Sequence, residues 1–441
     1  MSARLMRRLA GALLIPVLLA ASAPAALLNV RREVLPNGIV LLLSERPGIP
    51  IVVARAYVRA GSAFDPPDHP GLANLTAALL TRGTSRRTGP QLDEAIEFVG
   101  GSLGAEAGRD GVTVSLSVLK KDLALGLDLL AELLREPSFP EAELTRRVKE
   151  IQAAIRRSED DPESVAGRAL NALLYPGHAY GHPVAGTEVS VGKLTRDHVV
   201  GFYRRHYRPD ALVVTVVGDV RREEILRELA ARLGGWSDPR DPAPRVPPPP
   251  VAPPIQTATV RRPLTQATVY LGRPVIPHDH PDYYPLRVAS YILGGGSASR
   301  LYTKVRDEAG LAYWVGSHLS VGRYGVSFAV SLQTRTDGVD RALGMVRAEL
   351  ARMGREAVSD AELALAKAYL IGSLPLRMDT SAELANLLVT VEELGLGLDY
   401  PDRFRERVKR VSATDVLRAA RLYLDPVTLS SVRVGETAEK P

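Results

Sequence analysis

The segment KLTRDHVVGFYRRHYRPDALVVTVVGD, Lys193–Asp219, contains one complete helix-to-strand unit and is the strongest indication of the fold. Thr195 is a favourable N-cap for the amphipathic helix that follows it. Pro209 then interrupts the helical pattern, and the next apolar run predicts a strand that ends at Gly218. The segment RVSATDVLRAARLYLDPVTLSSVRVGE, Arg410–Glu436, repeats this order of features near the end of the chain.

The two segments align at a constant offset of 217 residues (412 − 195). The matched pairs include Thr195 and Ser412, Pro209 and Pro426, and Gly218 and Gly435. Two such units, one at the end of each half, indicate a duplicated domain. Strand and helix periodicities are mixed in both halves. We therefore predict an α+β fold with two homologous α/β sandwich domains, each with adjacent antiparallel strands and helices on one face.

A proline-rich segment, SDPRDPAPRVPPPPVAPP, separates the two halves. Prolines at this density form neither a helix nor a central strand, and they favour extended polyproline II. We therefore divide the 441 residues into a signal peptide at 1–25, an N-terminal domain at 26–236, a linker at 237–254 and a C-terminal domain at 255–441.

The N-terminus has the pattern of a secretory signal peptide. Three arginines within residues 4–8 precede the apolar run Leu9–Ala21, which is too short to span a bilayer. Small residues then offer cleavage sites at Ala23 and Ala25. We expect a mature protein that has no membrane span and is exported to a bacterial periplasm. An uncleaved N-terminal anchor is the alternative.

Composition excludes several classes of site. The chain has no cysteine, so disulfides, a cysteine nucleophile and thiolate metal sites are excluded. The net charge is +6, but no block of five basic residues occurs, and we expect no nucleic-acid partner. His178 and His182 have loop residues around them, and His278 and His280 fit a solvated loop better than a metal site.

Five motifs follow one another along the chain. They are HPGLANLTAALLTRGTSRR (His69–Arg87), FVGGSL (Phe98–Leu103), EDDP (Glu159–Pro162), HAYGHPVAGT (His178–Thr187) and LGGGSASRLYTKVRDEAGLAYWV (Leu293–Val315). In this order they resemble the pitrilysin/insulinase superfamily of zinc peptidases, and in particular its processing-peptidase-like branch. The resemblance implies a duplicated processing-peptidase-like fold whose two domains form half of a clamshell.

The zinc motif of that family is altered here. In His-x-x-Glu-His, two histidines one helical turn apart hold the ion and the glutamate activates the bound water. The matching positions are Asn74, Ala77 and Ala78, and Ala154 stands where the family has a third ligand. Because alanine has no donor atom and an asparagine amide binds zinc poorly, we predict no metal site in this chain. Glu150, one turn before Ala154, has no histidines with which to share a metal.

The second half keeps two features of the family. The resemblance implies that Arg306 and Tyr313 face the zinc site across the chamber. The guanidinium would hold a substrate carbonyl, and the hydroxyl would donate a hydrogen bond to the reacting carbonyl. A surface arginine and a half-buried core tyrosine are the alternative. The resemblance also implies substrate binding by a glycine-rich loop, for which a simple helix-to-helix turn is the alternative: Gly294, Gly295 and Gly296.

Together these features predict a non-catalytic, substrate-binding subunit of a periplasmic heterodimeric zinc metallopeptidase that acts on peptides or unfolded segments. This chain would hold no cofactor. A homologous partner subunit would hold the zinc, and an extended peptide would be the substrate. One alternative is a stand-alone peptide-binding or assembly protein derived from a peptidase. Another is an active peptidase with an unrecognised metal site.

Overall fold

A computed structural model describes residues 28–237, 245–250 and 252–435. The predicted signal peptide at 1–25 lies outside the described residues, and so does part of the predicted linker. The described linker residues contain no helix or strand. Within the part of the chain that the structure describes, no helix has the length and apolar character needed to cross a membrane.

The first half folds around a mixed sheet with the strand order β1-β2-β6-β3-β5-β4. Its strands are β1 (Arg31–Val34), β2 (Val40–Glu45), β3 (Ile51–Val58), β4 (Ser102–Ala107), β5 (Val112–Leu119) and β6 (Leu212–Gly218). Its helices are α1 (Leu72–Leu80), α2 (Gly89–Phe98), α3 (Leu123–Arg135), α4 (Glu141–Glu159), α5 (Pro162–Leu174), α6 (Glu188–Val191), α7 (Arg196–His206) and α8 (Arg222–Leu233).

The second half folds around a sheet with the strand order β7-β11-β8-β10-β9. Its strands are β7 (Thr257–Val260), β8 (Gln266–Val275), β9 (Ala312–Val321), β10 (Val326–Arg335) and β11 (Ser430–Val434). Its helices are α9 (Tyr283–Gly294), a π-helical segment (Tyr302–Glu308), α10 (Val339–Met353), α11 (Asp360–Gly372), α12 (Ser381–Glu393), α13 (Tyr400–Arg410) and α14 (Ala413–Tyr423).

Sheet topology confirms the predicted duplication. The order β2-β6-β3-β5-β4 in the first half corresponds to β7-β11-β8-β10-β9 in the second. In both of these five-strand series the first pair is parallel and the later pairs are antiparallel. Thr195 and Ser412 form capping boxes at the start of α7 and α14, as the repeat predicts. Gly218 and Gly435 follow with φ of 152° and 133°, a region that favours glycine.

Strand β6 explains why its sequence is an almost unbroken apolar run. All of its residues are buried, because both faces of the sheet are covered. Val214 and Val216 pack into the core beneath the first half's own helices. Val213 and Val217, on the opposite face, pack into a core that is built mainly by the second half. The two halves therefore share a continuous apolar interface.

Each half covers one face of the other half's sheet with a helix. Helix α12 of the second half packs on β3 and β6, and α5 of the first half packs on β8 and β11. The sequence predicts helices on one face of each sheet only, whereas the structure also has a helix on the second face. The strands were also predicted as antiparallel, whereas β2–β6 and β7–β11 are parallel. The covering helix comes from the other half, and local periodicity does not show this.

Candidate functional site

Helix α1, which carries the altered zinc motif, is anchored at its start by a buried acid. The carboxylate of Asp65 accepts hydrogen bonds from the backbone N–H groups of Gly71 and Ala73, both at 2.7 Å. Gly71 has a φ of 94°, and a Cβ there would lie 2.7 Å from the carbonyl oxygen of Ala185. Gly71 is therefore required by backbone packing, and the backbone N–H groups at 71 and 73 are capped by Asp65.

The four positions of the altered motif carry no zinc ligand. Asn74 and Ala78 are half-buried, one helical turn apart on α1, whereas Ala77 is 1% exposed and belongs to the core. Helix α4 packs against α1, and Ala154 on it is exposed. Among the described residues there is no group of three histidine, aspartate or glutamate side chains that could hold a metal ion. The donor set therefore does not fit the zinc site of the family.

Other candidate ligands have structural partners. Glu150 is exposed on α4 and forms ion pairs with Arg146 and Arg147, the latter at 2.8 Å. His178 accepts a hydrogen bond from the backbone N–H of Tyr180 at 3.1 Å, which stabilises a short turn. His178 and His182 thus lie in a loop, as the sequence predicts.

Arg306 lies on the π-helical segment and is positioned by Tyr302, one turn earlier. Its guanidinium stacks on the Tyr302 ring at 4.5 Å from the centroid, and Nη1 donates a hydrogen bond to the Tyr302 hydroxyl. The structure records no hydrogen bond between Arg306 and Tyr313, both of which it describes. Arg306 is therefore held by its own helix and not by the other member of the predicted pair.

Tyr313 lies near the start of β9, which is an edge strand of the second sheet. Its side chain is 74% exposed, and the neighbouring Trp314 is 43% exposed. The interpretation of Tyr313 as a half-buried core residue is therefore wrong. Exposed aromatic side chains beside unpaired strand groups are available to a ligand.

The glycine triplet connects two helical segments. Gly294 ends α9, and Ser299 donates its backbone N–H to the carbonyl of Gly296 at 3.0 Å. A Cβ at Gly294 would lie 2.4 Å from the backbone nitrogen of Ser317 on β9. Gly294 is thus required by close packing of α9 on β9, and Gly295 lines a cavity in the second half.

Sequence reasoning missed a polar cluster between the halves. The hydroxyl of Tyr57 donates to the carboxyl group of Glu393, and that of Tyr180 donates to Asp110 at 2.5 Å. Asp110 also accepts the backbone N–H of Arg323 at 2.9 Å. Burial raises the pKa of Glu393 to about 7 and raises that of the Tyr180 hydroxyl. These residues come from separate elements, so no motif identifies them.

His278 also differs from its prediction. It lies half-buried in the wall of two cavities, and its Nδ1 atom is buried and has no hydrogen-bond partner in the described part of the chain. Burial lowers the pKa of its imidazole. The expected solvated loop is therefore correct for the exposed Asp279 but not for this histidine.

The sequence matches two family models along most of its length. Residues 40–188 match the model described as insulinase (peptidase family M16), and residues 193–370 match the one described as peptidase M16 inactive domain. An uncharacterized zinc protease of Streptomyces coelicolor is 30% identical over 399 residues, which are 89% of this chain and 87% of that protein. An uncharacterized zinc protease of Mycobacterium leprae is 30% identical over 366 residues, or 80% of each protein.

Solved structures have the same architecture. A structure described as the peptidase M16 inactive domain from Pseudomonas fluorescens has a TM-score of 0.87 at 27% identity, covering 94% of this chain and all of that one. A protease from Helicobacter pylori has a TM-score of 0.86 at 18% identity, covering 92% and 99% of the two chains, which shows the fold alone. The predicted family and the two-domain α+β fold are therefore confirmed: the chain belongs to the insulinase family, peptidase family M16.

Proposed function

We propose that this chain is the non-catalytic, substrate-binding subunit of a periplasmic heterodimeric zinc metallopeptidase that acts on peptides or unfolded segments. The observation that carries the proposal is the exposure of Tyr313 on the free edge of β9. A tyrosine that served only packing would be buried. The altered zinc-site positions on α1 and α4 support the same proposal: Asn74, Ala77, Ala78 and Ala154. Because they offer no zinc ligands, a peptidase that contains this chain would need a second chain to supply the metal.

Strand β9 provides a surface for an extended peptide. It pairs with β10 on one side only, so the main-chain groups on its other side can pair with an added strand. A peptide there would pass the hydroxyl of Tyr313, which can donate a hydrogen bond to a carbonyl oxygen as negative charge develops on it. Tyr302 holds the guanidinium of Arg306 in one orientation, which reduces the entropy lost on binding a substrate carbonyl.

The partner would be a homologous subunit with an intact His-x-x-Glu-His motif. Its zinc would supply an activated water, whereas this chain would bind and orient the peptide. The curated relatives named zinc proteases and the matched inactive-domain model support a peptidase-derived role in which the chemistry and the binding are divided between chains.

The test is to purify the chain alone and together with a zinc-bearing homologue encoded beside it. We expect neither stoichiometric zinc nor peptide cleavage from the isolated chain, and cleavage from the pair. In the pair, Tyr313→Phe should lower turnover by about ten-fold or more without changing assembly. Tyr369→Phe, at another exposed tyrosine, is the matched control and should have no effect.

Three results would contradict the proposal. Zinc or cleavage in the isolated chain would indicate an active peptidase with an unrecognised metal site. Equal turnover for the Tyr313→Phe pair and the unmodified pair would remove the role of this hydroxyl. Failure to form a complex with any zinc-bearing homologue would favour a stand-alone peptide-binding protein.

A further inference from the structure

Two adjoining cavities form a groove that has no role in the function proposed above. Their volumes are about 330 Å³ and 460 Å³, within the range typical of ligand sites. The two cavities adjoin, because five residues line both of them: His278, Tyr284, Leu394, Leu396 and Tyr400. We call the two cavities together the interdomain groove, because Arg59 of the first half also lines the larger one.

The smaller cavity suits apolar side chains. Its walls include Tyr291, Leu319, Val321 and Leu370, and it reaches Gly295 of the glycine triplet. Arg287 also lines it, but its guanidinium stacks on a phenylalanine ring and donates a hydrogen bond to a tyrosine hydroxyl. Its charge is therefore partly occupied. The exposed Arg377 and three serine or threonine side chains also line the cavity, and the rest of its wall offers aromatic and aliphatic contacts.

The larger cavity contains four arginines, and two of them have neither a carboxylate nor a backbone carbonyl partner among the described residues. Arg403 forms an ion pair with Asp399 at 2.8 Å, and Arg323 donates to the backbone carbonyl of Glu393. Among the described residues, the side chain of Arg59 has no hydrogen bond and no ion pair. That of Arg407 stacks on Tyr284 and has no carboxylate partner either. Two guanidinium groups are thus available to an anion.

Buried nitrogen atoms in the same cavity also have no partner. The Nε atom of Arg59 and the Nδ1 atom of His278 are both buried, and neither forms a hydrogen bond within the described chain. A buried polar atom without a partner is costly and is rare in folded proteins. A ligand with acceptor oxygens in the cavity would offer a partner to the Arg59 N–H.

The acidic residues in the wall limit the charge of that ligand. Asp279, Glu392 and Glu393 line the cavity together with the arginines, and Glu392 is already paired with Arg32 at 2.8 Å. A multiply charged phosphate would be repelled by these carboxyl groups, whereas a single carboxylate needs only the two available guanidiniums. The planar guanidinium also matches a carboxylate with two parallel hydrogen bonds.

We propose that the interdomain groove binds the carboxyl-terminal end of a peptide. The terminal carboxylate lies between Arg59 and Arg407, and the preceding apolar side chains occupy the smaller cavity, towards Gly295. The inference rests on the proposed peptide-binding role and names where one end of the peptide binds. It differs from the contact at Tyr313, which lines neither cavity.

Fluorescence anisotropy on the isolated full chain tests the proposal without any partner subunit. The probes are one short peptide that ends in Leu-Phe, labelled at its amino end, as the free acid and as the C-terminal amide. We expect the free acid to bind about ten-fold more tightly, because the amide lacks the charge-assisted hydrogen bonds. Unlabelled N-acetylphenylalanine should compete much more weakly than the unlabelled peptide acid, because it lacks the preceding side chain.

Variants locate the binding site. Arg407→Gln should remove most of the preference for the free acid, and Arg59→Lys should reduce it because the planar fork is lost. Arg410→Gln changes an exposed arginine on the same helix α13 that does not line the groove, and should keep the preference. An unchanged preference in both Arg407→Gln and Arg59→Lys would overturn the assignment.

The remaining outcomes separate this inference from the proposed function. Equal binding of the acid and the amide would overturn the carboxylate site but leave a peptide-binding role intact. Equal competition by N-acetylphenylalanine would overturn the peptide assignment in favour of a small organic acid. Absence of binding by both peptides would overturn the groove and would also count against the proposed function.

Discussion

The hydroxyl of Tyr57, on β3 of the first half, donates a hydrogen bond to the carboxyl group of Glu393, the last residue of α12 in the second half. The contact joins a sheet to the helix that the other half places on it. The pKa of Glu393 is raised to about 7, chiefly by burial; the Tyr57 hydrogen bond lowers this pKa, and the nearby Asp110 raises it by a smaller amount. The interface between the halves should therefore respond to pH.

The contribution of Glu393 to stability should fall as the pH rises from about 4.5 to about 7. Glu393 has a folded pKa of about 7 against an ordinary value of 4.5, so in this window the folded state binds more protons than the unfolded state. Each pH unit then costs up to about 1.4 kcal/mol of the free energy of unfolding. Chemical denaturation at several pH values measures this slope, and Glu393→Gln should reduce it.

Comparing the unmodified protein with Glu393→Gln separates the contribution of Glu393 to the pH dependence of stability from that of other buried acids. Burial also raises the pKa of Asp65 to about 7, which gives the same direction in both the unmodified protein and Glu393→Gln. The difference between the two pH profiles therefore reports Glu393 alone. Glu406→Gln, at an exposed residue of α13, should keep the original profile. Parallel profiles for the unmodified protein and Glu393→Gln would refute the role of this carboxyl group.

Helices α5 and α12, each of which covers the sheet of the other half, should make the two halves unfold together. Leu388 on α12 is fully buried, and Leu170 on α5 is 3% exposed. Truncation of either to alanine should cost about 2–5 kcal/mol, because each leaves a cavity in an apolar core, on a helix that packs against the sheet of the opposite half. Calorimetry should show a single transition at a lower temperature for both variants. Leu376→Ala, at a 68% exposed position, is the control; separate transitions for the two halves would contradict this prediction.

The sequence predicts local structure well because the determinants are local. The helix with Thr195 as its N-cap and the strand that ends at Gly218 are both present as predicted. The loss of zinc ligands also follows from residue identity alone, because no packing can give an alanine a donor atom. These features depend on a few neighbouring residues or on one side chain.

Features that join distant parts of the chain could not be predicted in this way. The contact between Tyr57 and Glu393 links residues 336 positions apart. The packing of α5 and α12 on the sheets of the opposite halves depends on how the two halves pack against each other. The interdomain groove combines Arg59, which follows β3, with side chains from the loop after β8 and from α13. The position of Tyr313 beside a free sheet edge depends on β9 being the last strand, which requires the complete strand order.

The glycine triplet should separate into a structural and a tolerant position. Gly294→Ala should destabilise the protein by about 1–3 kcal/mol, because the new Cβ would lie 2.4 Å from the backbone nitrogen of Ser317. Gly296→Ala should change stability by less than about 0.5 kcal/mol, since its nearest neighbour is the Tyr291 hydroxyl at 3.4 Å. Urea denaturation measures both. Slower peptide turnover by the complex with Gly296→Ala would then assign a substrate role to the loop, and equal costs for the two variants would contradict the packing argument.

The altered zinc motif should not tolerate restoration of its acid. Ala77 is 1% exposed in the core of the first half, so Ala77→Glu would bury a carboxylate without a metal or an ion-pair partner. We expect a loss of about 2–4 kcal/mol in the free energy of unfolding, or a protein that does not fold. Ala154→Glu, at the exposed third-ligand position, should lie within about 0.5 kcal/mol of the unmodified protein. Full stability of Ala77→Glu by urea denaturation would mean that α1 keeps room for a catalytic acid, and the motif would then have lost its ligands without losing its active-site cavity.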